Sequence, residues 1–219
     1  MTRALLMLAV AATVGLAADD PMARPTPIAF SKDDLGKVPD GWTAGHTGAG
    51  GGGAWKVVEA ATAPGGKGLA LAQVGASPGP VFNLCLADKP RLRDLELGVA
   101  LEPVAGEKDQ GGGLVWRCRD ENNYYIARYN PLEENFRVYK VVAGKRIQLA
   151  TQEGVKSTKG WRTMQVKHSG AAIECHLDGK KYLTARDDTF PDAGRVGLWT
   201  KADAQTRFAA LAYRDLAKR

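Results

Sequence analysis

The chain is 219 residues long and carries 30 lysines and arginines against 24 aspartates and glutamates, a formal net charge of +6. The basic residues are spread along the whole chain, which argues against a nucleic-acid binder, where they gather on one element. The three cysteines, Cys85, Cys118 and Cys175, stand in no Cys-x-x-Cys or paired-histidine spacing, which argues against a zinc site.

In chain order, Arg3 followed by the apolar run Ala4–Leu16 and the small-x-small site Gly15-Leu16-Ala17 reads as a signal peptide over Met1–Ala17. The run is too short to span a bilayer. The expectation is a secreted or periplasmic protein with no integral membrane segment after processing. Residues 18–27 are proline-rich and read as an extended segment, and residues 28–219 as one domain. An oxidising compartment permits one disulfide, but alternation in Ile173-Glu174-Cys175-His176-Leu177 puts Cys175 with the apolar residues, so the cysteines are expected buried and unbridged.

Asp34–Gly41 reads as a loop, with Pro39-Asp40-Gly41 as its turn. The glycine-rich Thr47–Trp55 lacks the Lys-Ser/Thr end and following helix of a phosphate cradle, so it too reads as a loop. Short strand patterns then recur: Trp55–Ala60, Leu69–Val74, Val81–Leu86, Leu95–Leu101, Gly113–Arg119, Tyr124–Asn130, Phe136–Val142, Arg146–Thr151, Trp161–Lys167, Ala172–Leu177, Lys181–Ala185, Val196–Thr200 and Arg207–Tyr213. Asp178-Gly179 and Ala143-Gly144-Lys145 have hairpin-turn chemistry. No segment has the period of a long amphipathic helix, and no fixed repeat appears. Many short strands over about 200 residues predict an all-β, jelly-roll β-sandwich of two antiparallel sheets.

Candidate chemistry concentrates in Gly111–Val142. Alternate strand residues face opposite sides of a sheet. Leu114, Trp116 and Cys118 alternate with Val115, Arg117 and Arg119, which sends Arg117 and Arg119 away from the core. Tyr124, Ile126, Arg128 and Asn130 share a face, as do Asn135, Arg137, Tyr139 and Val141. Arg117, Arg128 and Arg137 then form a ridge across one sheet, unless a one-residue bulge swaps their faces. Forked guanidinium donors and planar aromatic groups suit sugar hydroxyls and sugar C–H faces. The expected ligand site is Arg117, Arg119, Arg128, Asn130, Asn135, Arg137 and Tyr139 on the concave sheet; the other use of such arginines is pairing with Asp120, Glu121, Glu133 or Glu134. Asp203 is read as a turn cap or a ligand contact. A single aspartate makes no hard-cation site, so neither metal nor cofactor is assigned. His46, His168 and His176 are isolated in sequence and define no triad.

Several strings together resemble a known family: Pro39-Asp40-Gly41-Trp42, Asp109-Gln110-Gly111-Gly112, Leu114-Val115-Trp116-Arg117, Asn122-Asn123-Tyr124-Tyr125, Asn130-Pro131-Leu132-Glu133-Glu134-Asn135, Tyr139-Lys140-Val141-Val142 and Gly194–Asp203. The chain resembles the 3-keto-disaccharide hydrolase-like family of the concanavalin A-like lectin/glucanase superfamily, from about Phe30 to Leu216. The resemblance implies a laminin-G-like jelly roll handling carbohydrate as ligand or substrate. The family's closing Phe-Asp-Asp is absent, since Phe208 is followed by Ala209-Ala210. The glucanase Glu-x-Asp-x-x-Glu is absent too: Glu107-Lys108-Asp109 is followed by Gly112 at the last acid position. Two functions follow. A 3-keto-glycoside hydrolase needs a base and an oxyanion stabiliser, for which Glu133 and Arg128 (or Arg117) are the candidates. The alternative is a lectin-like binding module without catalysis. A monomer is expected in either case.

Overall fold

The computed structural model describes residues 24–65 and 67–217. The expected leader, residues 1–17, and the first part of the proline-rich segment lie outside them. Among the described residues there are one short 3-10 turn at Lys32–Asp34 and fifteen strands. These are β1 (Thr26–Pro27), β2 (Trp42–Thr47), β3 (Trp55–Glu59), β4 (Leu69–Gln73), β5 (Phe82–Leu92), β6 (Leu95–Ala105), β7 (Gly112–Asp120), β8 (Asn123–Asn130), β9 (Asn135–Val142), β10 (Lys145–Glu153), β11 (Arg162–Ser169), β12 (Ala172–Leu177), β13 (Lys180–Arg186), β14 (Gly194–Lys201) and β15 (Gln205–Asp215). No helix of the described residues is long and apolar enough to cross a membrane.

The strands form two antiparallel sheets. The back sheet runs β13-β12-β11-β6-β15-β4-β3, with β1 added against β15; the front sheet runs β10-β9-β8-β7-β14-β5-β2. This is the jelly-roll sandwich that the strand pattern predicts. All thirteen predicted strands form, and β2 and β1 are additional. Thr26–Pro27 pairs with Ala212–Tyr213, so pairing reaches into the segment read as merely extended. Two hairpins close with two-residue turns. Leu177 pairs with Lys180 across Asp178-Gly179, whose φ angles are 50° and 76°. Val142 pairs with Lys145 across Ala143-Gly144, at 47° and 77°. Two successive positive φ values match the right-handed twist of the flanking strands.

The main core lies between the sheets. Leu114 and Trp116, which alternation assigns inward, belong to it with Val138, Val166, Ile173, Leu177 and Leu198, and all are at most 1% exposed. Trp116 donates its indole N–H to His168 Nδ1 at 2.9 Å, so the single proton of the neutral imidazole sits on Nε2. Burial, and next the Arg117 charge, lower the His168 pKa to about 4. The three cysteines are free and buried, and burial raises the thiol pKa of Cys85 and Cys118 to about 12.

The front sheet has a second apolar cluster on its other face: Phe82, Leu84, Leu86, Val115, Cys118, Tyr124, Ile126, Tyr139, Val141 and Trp199. A flat sheet would leave this face in water. It is buried because the sheet curls. β10 and β5 are five steps apart in the strand order, about 24 Å in a flat sheet at roughly 4.8 Å per step. Yet the Arg146 guanidinium of β10 lies 5.1 Å from the Phe82 ring of β5. Thr47 of β2 meets the Tyr124 hydroxyl of β8 at 2.8 Å across three intervening strands. Thr47 donates to the Glu121 carbonyl, so Tyr124 is the donor in that pair. Gly45 of β2 lies against the end of the exposed Glu121 side chain. The outer face of the front sheet is therefore concave and largely filled by its own side chains.

Candidate functional site

The concavity is built from β7, β8, β9, β10 and β14. Arg128 of β8 stands opposite Arg137 of β9, and Asn130 opposite Asn135. On the other side Arg128 faces Gly113 of β7, which in turn faces Trp199 of β14. Gly113 carries no side chain because a Cβ would collide with the Ala127 carbonyl and lie 3.1 Å from Arg128 Cα. The gap leaves Arg128 and Trp199 flanking bare backbone.

Arg128 is only 1% exposed. One nitrogen reaches Glu133 Oε2 and Asn135 Oδ1, both at 2.7 Å, and the other lies 3.7 Å from Asp109. Asp109 also takes Lys201 at 2.9 Å and the Asn130 amide at 2.8 Å. Asn130 Oδ1 accepts the backbone N–H groups of Leu132 and Glu133 at 2.9 and 3.1 Å. This side-chain turn fixes the β8–β9 loop and aims Glu133 back at the sheet. Glu133 Oε2 accepts from Arg128, Asn135 and Arg137. Burial alone would raise the Glu133 pKa, but these bonds and the two guanidinium charges bring it down to about 2. Arg137 also pairs with Glu153 at 3.0 Å.

The expected residues Arg128, Asn130, Asn135, Arg137 and Tyr139 thus come together, with Glu133 beside them. Arg117 and Arg119 do not join them. Arg117 adopts φ 44° at an irregularity between Trp116 and Asp120, and from there the strand's alternation changes. Cys118 moves to the concave cluster, while Arg117 is buried at the sandwich end. It donates to the carbonyls of Arg93, Phe190 and Gly170 and to Asp94. Arg119 pairs with exposed Asp192 and stacks on Phe190. The ridge of Arg117, Arg128 and Arg137 is therefore corrected to Arg128 and Arg137 alone. Asp203 is a cap: it accepts the backbone N–H groups of Glu107, Lys108 and Asp109, which holds the loop that presents Asp109. The described residues contain no group of acids, histidines or cysteines able to hold a metal ion.

Sequence reasoning missed Arg146, Trp199, Lys201 and Asp109. Arg146 lies over Tyr139 at 4.6 Å, Phe82 at 5.1 Å and Trp199 at 6.0 Å. Carrying the alternation through the Ala143-Gly144 hairpin, where Arg146 pairs with Val141, would have found it. Two guanidinium nitrogens here, Arg128 Nε and Arg146 Nη1, are buried without a hydrogen-bond partner; the Tyr139 hydroxyl lies against Arg137 and the Trp199 indole against the Tyr124 hydroxyl.

No protein-family model matches the chain, and no curated protein does. Solved structures do resemble it. The carbohydrate binding module CBM66 from Bacillus subtilis aligns with a TM-score of 0.63 and 19% identity, over 80% of this chain and 96% of that one. A protein of unknown function with a galectin-like fold from Bacillus subtilis aligns at 0.58 and 12%, over 89% and 98%. The exoplasmic/lumenal domain of VIP36, in its Ca2+/Man-bound form, aligns at 0.58 and 11%, over 86% and 89%. At such identities the likeness is one of fold: a galectin-like, concanavalin A-like jelly roll.

Proposed function

We propose that the concave face of the front sheet binds a glycan, and that the chain is an exported, lectin-like carbohydrate-binding module without catalysis. The observation that carries this reading is the pair of buried, unpartnered guanidinium nitrogens on Arg128 and Arg146, set among the Tyr139 and Trp199 rings. Such an atom costs about 1–3 kcal/mol when left unpaired. Two on one face mark a place where a ligand restores the bonds. Two guanidinium donors beside aromatic rings complement the oxygen-rich rim and the C–H face of a sugar. The fold relatives that carry a carbohydrate-binding name or a bound Man point the same way by analogy.

The resemblance to the 3-keto-disaccharide hydrolase-like family favours hydrolysis, which requires a base. Glu133 is poorly suited. With three donors on one oxygen and a pKa near 2, it is a weak proton acceptor at neutral pH. Asp109 is 2% exposed and already shared between Arg128 and Lys201. Neither carboxylate has the freedom that a proton-transfer cycle demands.

The test pairs a glycan array with incubation on 3-keto disaccharides. Binding without product release is expected. Product release that disappears in Glu133→Gln would establish hydrolysis instead.

A further inference from the structure

We propose that the glycan taken by the concave face carries a carboxylate, as in a hexuronate, and that Arg146 is the residue that pairs with it. This rests on the glycan-binding reading and narrows it to a chemical class.

The face gathers four cations, Arg128, Arg137, Arg146 and Lys201, against three acids, Asp109, Glu133 and Glu153. Every acid is engaged: Asp109 by Arg128 and Lys201, Glu133 by Arg128 and Arg137, and Glu153 by Arg137. Among the described residues Arg146 has no carboxylate within ion-pair distance. Its neighbours are instead the rings of Tyr139, Phe82 and Trp199. These attract a cation through their quadrupoles but accept no forked pair of N–H bonds.

The charge is held at some cost. Burial lowers the Arg146 pKa, and Arg128 lowers it further, while Tyr139, Asp109 and Glu133 act in the opposite sense. One guanidinium nitrogen, Nη1, is buried with no partner. Tyr139, whose ring lies under the Arg146 guanidinium, is only 4% exposed and its hydroxyl lies against Arg137, so it offers Arg146 no forked acceptor. A neutral hydroxyl would satisfy one donor and leave the excess charge. A carboxylate supplies two coplanar acceptors and the missing charge together, which is the arrangement a guanidinium fork fits best.

The experiment compares uronate oligosaccharides (galacturonate, glucuronate and mannuronate series) with their carboxyl-reduced counterparts by titration calorimetry. Reduction keeps the ring and linkage and removes only the charge. The preferred acid is expected to bind about tenfold or more tighter than its reduced form, the value of one charge-assisted bond. Arg146→Gln should abolish that difference, and Arg146→Lys should retain part of it. Thermal midpoints of both variants verify that they fold. Equal affinity for acid and reduced forms, or an Arg146→Gln variant that keeps the difference, overturns the proposal while glycan binding stands. Tight binding of sulfated but not carboxylated sugars also overturns it. Failure of every glycan, charged or neutral, overturns the binding reading together with it.

Discussion

Arg128→Ala probes how the concave face is held together. As an outward arginine on an open sheet, Arg128 would be removable with little effect on the fold. The curl of the front sheet changes that. Its side chain is 2% exposed, 2.7 Å from Glu133 and 3.7 Å from Asp109, and it donates to Asn135. Removing one partner of a buried ion pair typically costs about 3–5 kcal/mol, because the other is left charged and unpaired. Here both acids keep other donors. Glu133 retains Asn135 at 2.9 Å and Arg137 at 3.3 Å, and Asp109 retains Asn130 at 2.8 Å and Lys201 at 2.9 Å. Glu133 is also 41% exposed, so water repays part of its loss. The lower end of the range applies, about 3 kcal/mol. Urea unfolding at pH 7 measures it as a lower midpoint with an unchanged slope. The Glu133 pKa, followed by carboxyl-carbon NMR, should rise from about 2 towards its ordinary value. A loss below about 1 kcal/mol, the value of a surface pair, would refute the buried-pair reasoning.

Two further outcomes follow from buried groups. The folded His168 pKa of about 4 lies below the ordinary 6.5, so the unfolded chain takes up the proton first as pH falls. Stability should therefore decline from pH 6.5 to pH 4, by up to about 3 kcal/mol in total. His168→Met should remove most of that slope, and flat stability between pH 7 and 5 would contradict the assignment. Gly113→Ala pushes a methyl into the Ala127 carbonyl and should lower the thermal midpoint by roughly 4–8 °C, corresponding to about 2 kcal/mol; an unchanged midpoint would show that β7 and β8 adjust freely.

The strands were legible because each carries its own period-2 signal and its own punctuation. β2 escaped because Thr43-Ala44-Gly45-His46-Thr47 has no apolar alternation; it forms as an edge strand through its ladder with β5. The pairing of β8 with β9 was legible as well, so Arg128, Asn130, Asn135, Arg137 and Tyr139 were found together. Arg117 was not, because its φ of 44° reflects a local departure from alternation that the residue types do not announce. Arg146, Trp199 and Lys201 were missed for different reasons. Trp199 and Lys201 lie on β14, whose place beside β7 is a long-range pairing that no local pattern announces, whereas Arg146 needed only the alternation carried through the Ala143-Gly144 hairpin. The curl also buries Leu84, Val115 and Ile126 on a face that a flat sheet would leave in water. Asp203 was legible as a cap by residue type, but its partners lie about a hundred residues away.

The most direct test of the account is an NMR titration with a glycan that the array identifies, following side-chain indole and guanidinium N–H resonances. The account predicts that Trp199 Nε1–H and the N–H groups of Arg128 and Arg146 shift on binding. Trp116 Nε1–H, committed to His168 in the core, should stay in place. Shifts confined to other surfaces, such as the 620 Å³ groove beside Pro27, Pro90 and Tyr213, with Trp199 and Arg146 unmoved, would contradict it.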